Sequence, residues 1–471
     1  MNEAAVHRDV VIVGGGPAGI QAARLLKEHR PELTVAVLRP EPHSLIYCAL
    51  PYAMEGIFPL ERCFKNDDLV TGVGAELIRS RAVSLQPQTR TLQLEDGGTL
   101  SYEKLLVATG AVPIRPLVKG VGLQNVFTVK TAADTRAILQ RLPAPQDCAE
   151  EEGLGAAPVK AVVIGSGAIG IEQATAYRRR GVEVHLVEMQ DRILPHMLDA
   201  DVSAKLSDAL CKLGLHLHLS TRLERLEAAD AGDEASVVQL SGGQRIALRP
   251  GRDFVVLAVG MKPDIALFAE AGLAYTTDGL TVDAEMRTSI PGIWAAGDCV
   301  AFHSGIDGKA LGGKLATNAV PMAKVAVRNM LGLSGSYPGF FNGAATVVDE
   351  KRVGATGFTE TYARSRGLEV FSTHASTRTR FPMMPGAGQI DVKLVFETPS
   401  GRLIGAQAVG DEAVAERIDL CTFAIQRGAT AWELADFSYS AQPWQSFFPA
   451  RNAIVEAASA ARDQLERLRS E

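Results

Sequence analysis

The sequence has few cysteines and no long apolar run, and both shortages limit what the protein can be. Its six cysteines are scattered, at positions 48, 63, 148, 211, 299 and 421, with no CxxC pair and no metal-ligand spacing. That distribution favours a reducing cytoplasm and gives no reason to expect a metal site. The most apolar stretches, Val10–Ala23 and Val159–Ile171, are short and rich in glycine, which argues against membrane spans.

Charge and the start of the chain support two further exclusions. The formal net charge of -6 is mild, so the sequence suggests neither a nucleic-acid partner nor an anionic membrane surface. The segment Met1–Asp9 lacks a basic region followed by an apolar stretch, so we expect no signal peptide and a cytoplasmic location. The length of 471 residues suggests several domains.

Two glycine-rich segments recur in the same local context. The β-branched run Asp9–Val13 predicts a buried parallel strand, which leads into Gly14-Gly-Gly16-Pro-Ala-Gly19 (the first glycine loop) and then a helix. Val159–Ile164 leads likewise into Gly165-Ser-Gly167-Ala-Ile-Gly170 (the second glycine loop) and a helix. Glycine is needed there because backbone N–H groups must approach a pyrophosphate at the helix N-terminus. One such motif is weak, but two in this context predict two Rossmann-like domains.

The residue that ends the following strand differs between the two units. Glu188 ends the strand after the second glycine loop, where a carboxylate could accept hydrogen bonds from a ribose 2′-hydroxyl. In the first unit Leu38 and Arg39 occupy the strand end, and the nearest acid is Glu41. The sequence therefore leaves open which groups would bind an adenosine ribose in the first unit.

The pattern changes after about residue 335. Ile390–Glu397 and Arg402–Val409 alternate apolar and polar residues around the turn Thr398-Pro-Ser-Gly401, which predicts an antiparallel hairpin. A helix is expected from about Glu412 to Arg427, ended by Gly428. This part of the chain is interpreted as a third, α+β domain without a nucleotide motif.

Three further segments identify a family resemblance. Tyr102–Pro113 contains Ala108-Thr-Gly110, Val259–Asp264 has a GxxP pattern, and Thr288–Asp298 ends in Ala-Ala-Gly297-Asp298. With the two glycine loops, these segments resemble the pyridine nucleotide–disulfide oxidoreductase superfamily over essentially the whole chain. The resemblance implies an α/β fold with two Rossmann-like domains, for FAD and NAD(P), and a C-terminal α+β dimerisation domain.

The resemblance also implies domain bounds and cofactor-binding residues. The expected domains are an FAD domain in two parts (1–118 and 251–335), an NAD(P)H domain (119–250) and a C-terminal interface domain (336–471). The residues implied for FAD are Gly14, Gly16, Gly19, Arg39, Ser44, Val83, Thr109, Gly110, Arg115, Gly297 and Asp298. Those implied for NADH, or possibly NADPH, are Gly165, Gly167, Gly170, Glu172, Glu188 and Gly260; no metal is expected.

A single cysteine narrows the resemblance to one group. Cys48 lies in Ser44-Leu-Ile-Tyr-Cys48-Ala-Leu-Pro-Tyr52, without the CxxxxC pair of glutathione-reductase types. The segment is similar to the coenzyme A-disulfide reductase, NADH oxidase, NADH peroxidase and persulfide reductase group, where one cysteine beside the flavin cycles through a mixed disulfide, persulfide or sulfenate. The chemistry needs a thiolate, which a helix start would stabilise. Pro51 is tolerated only in a first helical turn and agrees with that placement.

Three positions depart from the group. Pro17 stands where oxidase and peroxidase members resemble each other in having a histidine, which weakens a peroxidase reading because proline offers no acid–base help. Ala168 stands where many relatives have a tyrosine over the nicotinamide pocket. Met383-Met384-Pro385 replaces a Tyr-Tyr-Pro segment, which puts coenzyme A specificity in doubt. Tyr439-Ser-Ala-Gln-Pro-Trp444 resembles a second tyrosine segment, so Tyr439 and Trp444 are catalytic candidates beside Cys48.

We therefore expect an FAD-dependent NAD(P)H oxidoreductase that reduces a small disulfide, persulfide or polysulfide through Cys48. The alternatives are an NADH oxidase that uses oxygen, with Cys48 as a sulfenate, and a ferredoxin or rubredoxin reductase in which Cys48 is idle. A homodimer is expected, because the aromatic segments of the third domain are better explained by an interface than by solvent. The alternative is that these aromatic side chains fill the third domain's own core.

Overall fold

The computed structural model describes residues 5–144, 157–229, 232–313 and 315–470. Its strands are β1 (Val6–Val13), β2 (Val35–Leu38), β3 (Ser44–Leu45), β4 (Phe64–Lys65), β5 (Glu76–Ile78), β6 (Ala82–Gln86), β7 (Thr91–Leu94), β8 (Thr99–Val107), β9 (Ala111–Pro113), β10 (Val126–Thr128), β11 (Lys160–Ile164), β12 (Glu183–Val187), β13 (His216–His218), β14 (Leu223–Ala228), β15 (Ala235–Leu240), β16 (Arg245–Ala247), β17 (Phe254–Leu257), β18 (Met261–Pro263), β19 (Tyr275–Thr276), β20 (Gly279–Leu280), β21 (Ile293–Ala295), β22 (Ala344–Val348), β23 (Lys351–Gly357), β24 (Val370–Arg378), β25 (Gln389–Glu397) and β26 (Leu403–Gly410). Its helices are α1 (Pro17–His29), α2 (Leu50–Glu55), α3 (Asp68–Thr71), α4 (Ala132–Leu139), α5 (Ala168–Arg179), α6 (Ala200–Leu213), α7 (Ala266–Glu270), α8 (Ala316–Met330), α9 (Glu360–Ser365), α10 (Val414–Arg427), α11 (Ala431–Ala435) and α12 (Ala453–Ser470). The chain divides into two compact units.

The first unit comprises the chain up to Ala53, Phe58–Ile114 and Met261–Phe340. Its main sheet has the order β5-β2-β1-β8-β7-β6, and β21 also pairs with β8. β1 is parallel to both β2 and β8, and its Val10–Val13 segment is buried, as expected for a parallel strand covered on both faces. α1 follows β1 directly and packs against α8. This is the first of the two Rossmann-like folds that the sequence predicts.

The second unit comprises Met54–Ile57, Arg115–Gly260 and the chain from Phe341 onward. Its parallel sheet has the order β10-β17-β11-β12-β13, which is the second Rossmann-like fold. A three-stranded antiparallel sheet, β14-β15-β16, shares an apolar core with one face of the parallel sheet. α5 and α6 contribute side chains to the core on the other face.

The C-terminal part of the second unit is an antiparallel sheet with the order β22-β23-β26-β25-β24. β25 and β26 form the expected hairpin, and α10 ends at Gly428, whose left-handed φ of 68° is favourable for glycine. α10 packs on β23 and β26, whereas α12 packs on β24 and β25. The prediction of an α+β third domain is confirmed.

Asp199 joins the second Rossmann-like fold to the C-terminal sheet. Its carboxylate accepts hydrogen bonds from the backbone N–H groups of Glu360 and Thr361 at 3.0 Å, from the Thr361 hydroxyl at 2.7 Å and from the Gln407 amide at 2.7 Å. Lys393 Nζ lies 3.2 Å from the same carboxylate. Burial acts to raise the pKa of Asp199, but the hydrogen bonds from Thr361, Gln407 and Glu360 outweigh it and lower the pKa to about 2.

One expected domain boundary is wrong. The second part of the FAD domain was expected to begin at residue 251, yet β17 (Phe254–Leu257) pairs with β10 and β11 inside the second parallel sheet. A strand paired on both sides belongs to that sheet, so the chain leaves the second unit only after Gly260. Within the described ranges, no helix combines the length and apolarity that a membrane crossing requires.

Candidate functional site

The first glycine loop packs so closely that side chains are excluded at two of its glycines. Gly14 has a φ of +120°, and a Cβ there would lie 2.1 Å from the Ala108 carbonyl oxygen. A Cβ on Gly19 would lie 1.9 Å from the Gly14 carbonyl oxygen, so α1 runs directly against the loop. A Cβ on Gly16, the residue before α1, would meet nothing within 4 Å. The loop therefore leaves space at the N-terminus of α1, as a pyrophosphate requires.

Arg39 occupies the end of β2, where the sequence lacks an acid. Its side chain is buried and packs on the loop, because a Cβ on Gly15 would lie 2.7 Å from Arg39 Cδ. The guanidinium donates to the Glu41 carbonyl at 2.9 Å and to Asp67 at 2.6 Å. Arg79 donates to the same Asp67 carboxylate. Sequence reasoning missed Asp67 and Arg79, since neither belongs to a motif; Asp67 contacts Arg39 from a later segment, and Arg79 contacts Asp67.

The positive charges of Arg39 and Arg79 keep the Asp67 carboxyl ionised. Partial burial acts to raise the pKa of its carboxyl, but the hydrogen bond and charge of Arg39, with the charge of Arg79, outweigh burial and lower the pKa. The carboxylate thus stays ionised and holds both guanidinium groups at the end of β2. Val83, expected at the FAD site, is the extra residue at a register shift between β6 and β7, and its side chain is exposed.

The segment ending in Asp298 lies beside the first glycine loop. Gly297 has a φ of +86°, and a Cβ there would lie 3.4 Å from the side chains of both Ala18 and Ala319. Ala18 is in the first turn of α1, so Asp298 is adjacent to the open space above that helix. Thr109 Oγ1 donates to the Asp264 carbonyl at 2.6 Å, which ties the Ala-Thr-Gly segment to the returning chain. A carboxylate here is placed to accept from sugar hydroxyls.

Cys48 lies in a short 3₁₀ turn, Tyr47–Ala49, that runs into α2. The residue is exposed. Burial of the phenol, together with the negative charges of Glu41 and Asp298, raises the pKa of the neighbouring Tyr47. The Cys48 turn and the first glycine loop belong to the same compact unit. Ser44 is buried and pairs with Lys65 across β3 and β4.

Two groups on the neighbouring segment interact with Cys48. Burial lowers the pKa of Lys65, while the electrostatic interaction with Cys48 acts to raise it. Cys63 is fully buried, and its pKa is raised by burial and then by the charges of Cys48 and Glu61. Of this pair, Cys48 is the thiol that a substrate can reach. Sequence reasoning missed Lys65, because a two-residue strand carries no detectable pattern.

The other cysteines offer no rival in the part of the chain that the structure describes, apart from one on a helix surface. Cys299 and Cys421 are buried, and burial raises the pKa of Cys421 to about 12. Cys211 is exposed on α6. Cys148 lies outside the described residues.

The second glycine loop repeats the geometry of the first. Gly165 has a φ of +101°, and a Cβ there would lie 2.5 Å from the Ala258 carbonyl oxygen. A Cβ on Gly170 would lie 1.9 Å from the Gly165 carbonyl oxygen, whereas a Cβ on Gly167 would meet nothing within 4 Å. The N-terminus of α5 is thus open in the same way as that of α1, and it fits a second pyrophosphate. Gly260, with a φ of +103°, follows shortly after Ala258.

Glu188 is held firmly at the end of β12. Its side chain is 6% exposed and accepts from the Ser166 N–H at 2.9 Å, the Ser166 hydroxyl at 2.8 Å and the Gln190 N–H at 2.8 Å. The nearest basic residue in sequence, Arg192, pairs with Asp191 at 2.7 Å. The structure therefore brings a fixed carboxylate to the second glycine loop.

Two other expected cofactor residues make contacts elsewhere in the second unit. Glu172, on α5, accepts a hydrogen bond from the Thr346 hydroxyl at 2.6 Å, and burial raises its pKa although that bond lowers it. Arg115 belongs to the second unit and donates to the Val121 carbonyl at 2.7 Å. Their cofactor roles stay predictions.

The aromatic segment of the C-terminal domain is divided between surface and core. Tyr439, Trp444 and Phe448 are exposed, whereas Phe447 is buried. Phe381 stacks edge-on against Phe448, with ring centroids 5.2 Å apart, which brings the segment before Met383-Met384 to the same surface. The alternative that these aromatics fill the domain's own core thus applies to Phe447.

Comparisons with known proteins agree with this arrangement. A family model described as pyridine nucleotide-disulphide oxidoreductase matches residues 8–323, and the dimerisation domain of that family matches residues 344–447. The chain is 31% identical to an NADH oxidase from Methanocaldococcus jannaschii over 92% of this chain and 94% of the relative. It is 30% identical to an NAD(P)H coenzyme A polysulfide/persulfide reductase from Pyrococcus horikoshii over 92% and 95%. A solved NAD-dependent persulfide reductase from A. fulgidus superposes with a TM-score of 0.88 at 30% identity, covering 98% of this chain and 84% of that one.

Proposed function

The chain belongs to the pyridine nucleotide-disulphide oxidoreductase family, and we propose that it reduces a small disulfide, persulfide or polysulfide through Cys48. The family uses FAD and NAD(P)H, and the two open glycine loops fit two dinucleotides. The observation that carries the proposal is the exposure of Cys48: its thiol is exposed in the turn that leads into α2, whereas Cys63 and Cys299, the other cysteines of the first unit, are buried. The first glycine loop and Asp298 belong to the same unit, and Lys65 interacts electrostatically with Cys48.

The residues of the chain support a thiol–disulfide exchange. The Cys48 thiolate attacks one sulfur of the substrate, a Cys48–sulfur bond forms, the substrate's sulfur–sulfur bond breaks, and the second substrate sulfur leaves as a thiolate. Two electrons from NAD(P)H and a proton then return Cys48 to a thiolate and release the first substrate sulfur as a thiol. FAD, when bound, supplies the two-electron relay between nicotinamide and sulfur. The Lys65 ammonium stabilises the thiolate before and after the exchange, and Cys63 stays protonated.

We also propose that the enzyme prefers NADH to NADPH. The fixed Glu188 carboxylate accepts from a free ribose 2′-hydroxyl and repels a 2′-phosphate, which favours NADH over NADPH.

We also propose a homodimer in which the exposed face of Tyr439, Trp444 and Phe448 closes the partner's Cys48 site. The match to the family's dimerisation domain supports an interface in this part of the chain.

A second candidate function is an NADH oxidase, in which Cys48 cycles through a sulfenate. The similarity to the NADH oxidase from Methanocaldococcus jannaschii favours it. Pro17 weakens the case for an oxidase, because with proline at this position the first turn of α1 offers no imidazole to assist peroxide chemistry.

A comparison of electron acceptors tests the proposal. The holoenzyme is reduced with NADH under anaerobic stopped-flow conditions and then mixed with a small disulfide, a polysulfide, air-saturated buffer or a ferredoxin. The proposal expects reoxidation to be fastest with a sulfur compound. Fastest reoxidation by oxygen would establish the oxidase instead, and fastest reoxidation by ferredoxin would show that Cys48 is idle.

A further inference from the structure

A polar cluster lies on one face of the second parallel sheet, away from the nucleotide loop. Glu183 and His185 are on β12, and His216 and His218 are on the edge strand β13. His185 pairs with His216 across the two strands, and Val187 pairs with His218. Alternate residues of a strand point to one face, so all four side chains share the face on which Val187 meets the core. The cluster covers the part of that face before Val187.

This position separates the cluster from the nucleotide-binding end. The second glycine loop and Glu188 follow the carboxyl ends of β11 and β12, whereas Glu183 begins β12. At ~3.3 Å per residue, Glu183 lies roughly 16 Å along the strand from Glu188. A ligand in the cluster would therefore act on the edge of the sheet rather than on the nucleotide.

The donor atoms are spaced as metal ligands are. One ligand atom from each of Glu183, His185 and His216 lies within 4.8 Å of the other two. His185 Nε2 is 3.1 Å from Glu183 Oε1, and the His185 and His216 rings stack with centroids 4.6 Å apart. Two ligands bound tetrahedrally to zinc at about 2.1 Å stand roughly 3.4 Å apart. The first pair already has about that separation, and His216, exposed on the edge strand, must turn its ring out of the stack to complete the set.

A second layer of hydrogen bonds fixes the orientation of His185. Its Nδ1 is 3.0 Å from His218 Nε2, and His218 Nδ1 is 3.2 Å from the Gln244 amide oxygen. In the tautomer in which His218 Nδ1 donates to that oxygen, His218 Nε2 accepts from His185 Nδ1–H. The lone pair of His185 Nε2 is then available to a metal ion beside the Glu183 carboxylate. Metal-bound histidines are held by their other ring nitrogen in this way.

We propose that Glu183, His185 and His216 bind a divalent transition-metal ion of borderline softness, with zinc as the best fit. Histidine and carboxylate ligands in a tetrahedral arrangement suit this class of ion, and water would fill the fourth position. Lys160 Nζ lies 3.4 Å from Glu183 Oε1 and competes for the carboxylate, which weakens the site. The bound ion links edge strand β13 to β12 and stabilises the sheet that carries the nucleotide loop.

Calorimetric titration of the metal-stripped holoenzyme with zinc chloride tests the proposal. The exposed thiols Cys48 and Cys211 also attract zinc, so every protein in the comparison carries Cys48→Ser and Cys211→Ser. We expect one zinc ion per chain and a higher unfolding temperature with zinc. His216→Ala should abolish both effects, and His218→Phe should weaken binding about 10–100-fold by removing the support of His185.

The matched control is His29→Ala, which removes an exposed histidine at the end of α1 and should leave zinc binding unchanged. Titration with cobalt(II) adds an independent readout, since tetrahedral nitrogen and oxygen ligands give it strong visible absorption. Equal zinc affinity in the parent and His216→Ala proteins would overturn the proposal. Lack of zinc binding in the parent would do the same and would mean that a proton joins His185 to Glu183.

Discussion

We predict that the enzyme prefers NADH and that removing the charge of Glu188 narrows this preference. Three hydrogen bonds, from the Ser166 N–H, the Ser166 hydroxyl and the Gln190 N–H, hold the carboxylate. It therefore cannot rotate away when a 2′-phosphate approaches. Glu188→Gln keeps the size of the side chain and removes the negative charge; one of its backbone hydrogen bonds is also lost, because the amide nitrogen cannot accept.

The size of the effect follows from the distance and the surroundings. Two unit charges about 4 Å apart interact with ~4 kcal/mol at an effective dielectric constant of about 20. Counter-ions and water at the phosphate reduce this to on the order of 1–3 kcal/mol, or roughly ten- to a hundredfold. Arg192 offsets little of it, because its guanidinium pairs with Asp191 and donates to the Leu198 carbonyl.

The assay is the ratio of kcat/KM for NADH to that for NADPH. The wild-type ratio should be about 10–100, and Glu188→Gln should bring it close to unity. Glu224→Gln, which neutralises an exposed acid on β14, is the matched control and should leave the ratio unchanged. A wild-type enzyme that favours NADPH, or a Glu188→Gln variant with the wild-type ratio, would refute the electrostatic reasoning.

Three other predictions concern the sulfur half-reaction, stability and assembly. Burial lowers the pKa of Lys65, so its positive charge is present below that pKa and lost as pH rises through it. The rate of disulfide reduction should therefore fall at alkaline pH. Lys65→Arg should move this fall in the pH–rate profile to higher pH. Folding lowers the pKa of Asp199 to about 2, so its ionised form stabilises the protein above the unfolded-state pKa, and this stability is lost as pH falls. Asp199→Asn should therefore lower the free energy of unfolding in urea by on the order of 2 kcal/mol at pH 7 and reduce the loss of stability at acid pH. An unchanged urea midpoint would contradict this. Mixed dimers of a Cys48→Ser chain and a chain altered at both Tyr439 and Trp444 should regain activity if the site is shared, and mixed dimers without activity would exclude sharing.

The sequence was sufficient for those parts of the fold that depend on local backbone geometry. The two glycine loops could be placed because close approach at Gly14, Gly19, Gly165 and Gly170 leaves room for no other residue. The hairpin of β25 and β26 was recognisable from its alternation and turn. The true domain boundary was not recognisable from the sequence, because the pairing of β17 inside the second sheet is a tertiary property.

The sequence predicts candidate site residues only where a motif marks them. Cys48 and Glu188 are predicted because each stands at a fixed place relative to a strand or helix, and their roles stay predictions. Asp67 accepts a hydrogen bond from Arg39 from an irregular segment, and Lys65, on a two-residue strand, interacts electrostatically with Cys48. Their roles arise from chain segments that come together only in the folded protein, and a single sequence gives no sign of such contacts.

Replacement of Cys48 tests the central claim most directly. Cys48→Ser removes the thiolate and alters the turn before α2 very little, and Cys211→Ser is the control for the loss of an exposed thiol. Anaerobic stopped-flow measures flavin reduction by NADH and then reoxidation by the preferred sulfur substrate. We predict near-normal FAD content and flavin reduction in both variants, with sulfur reduction abolished in Cys48→Ser alone. A Cys48→Ser enzyme that reduces its sulfur substrate at near the wild-type rate would contradict the account.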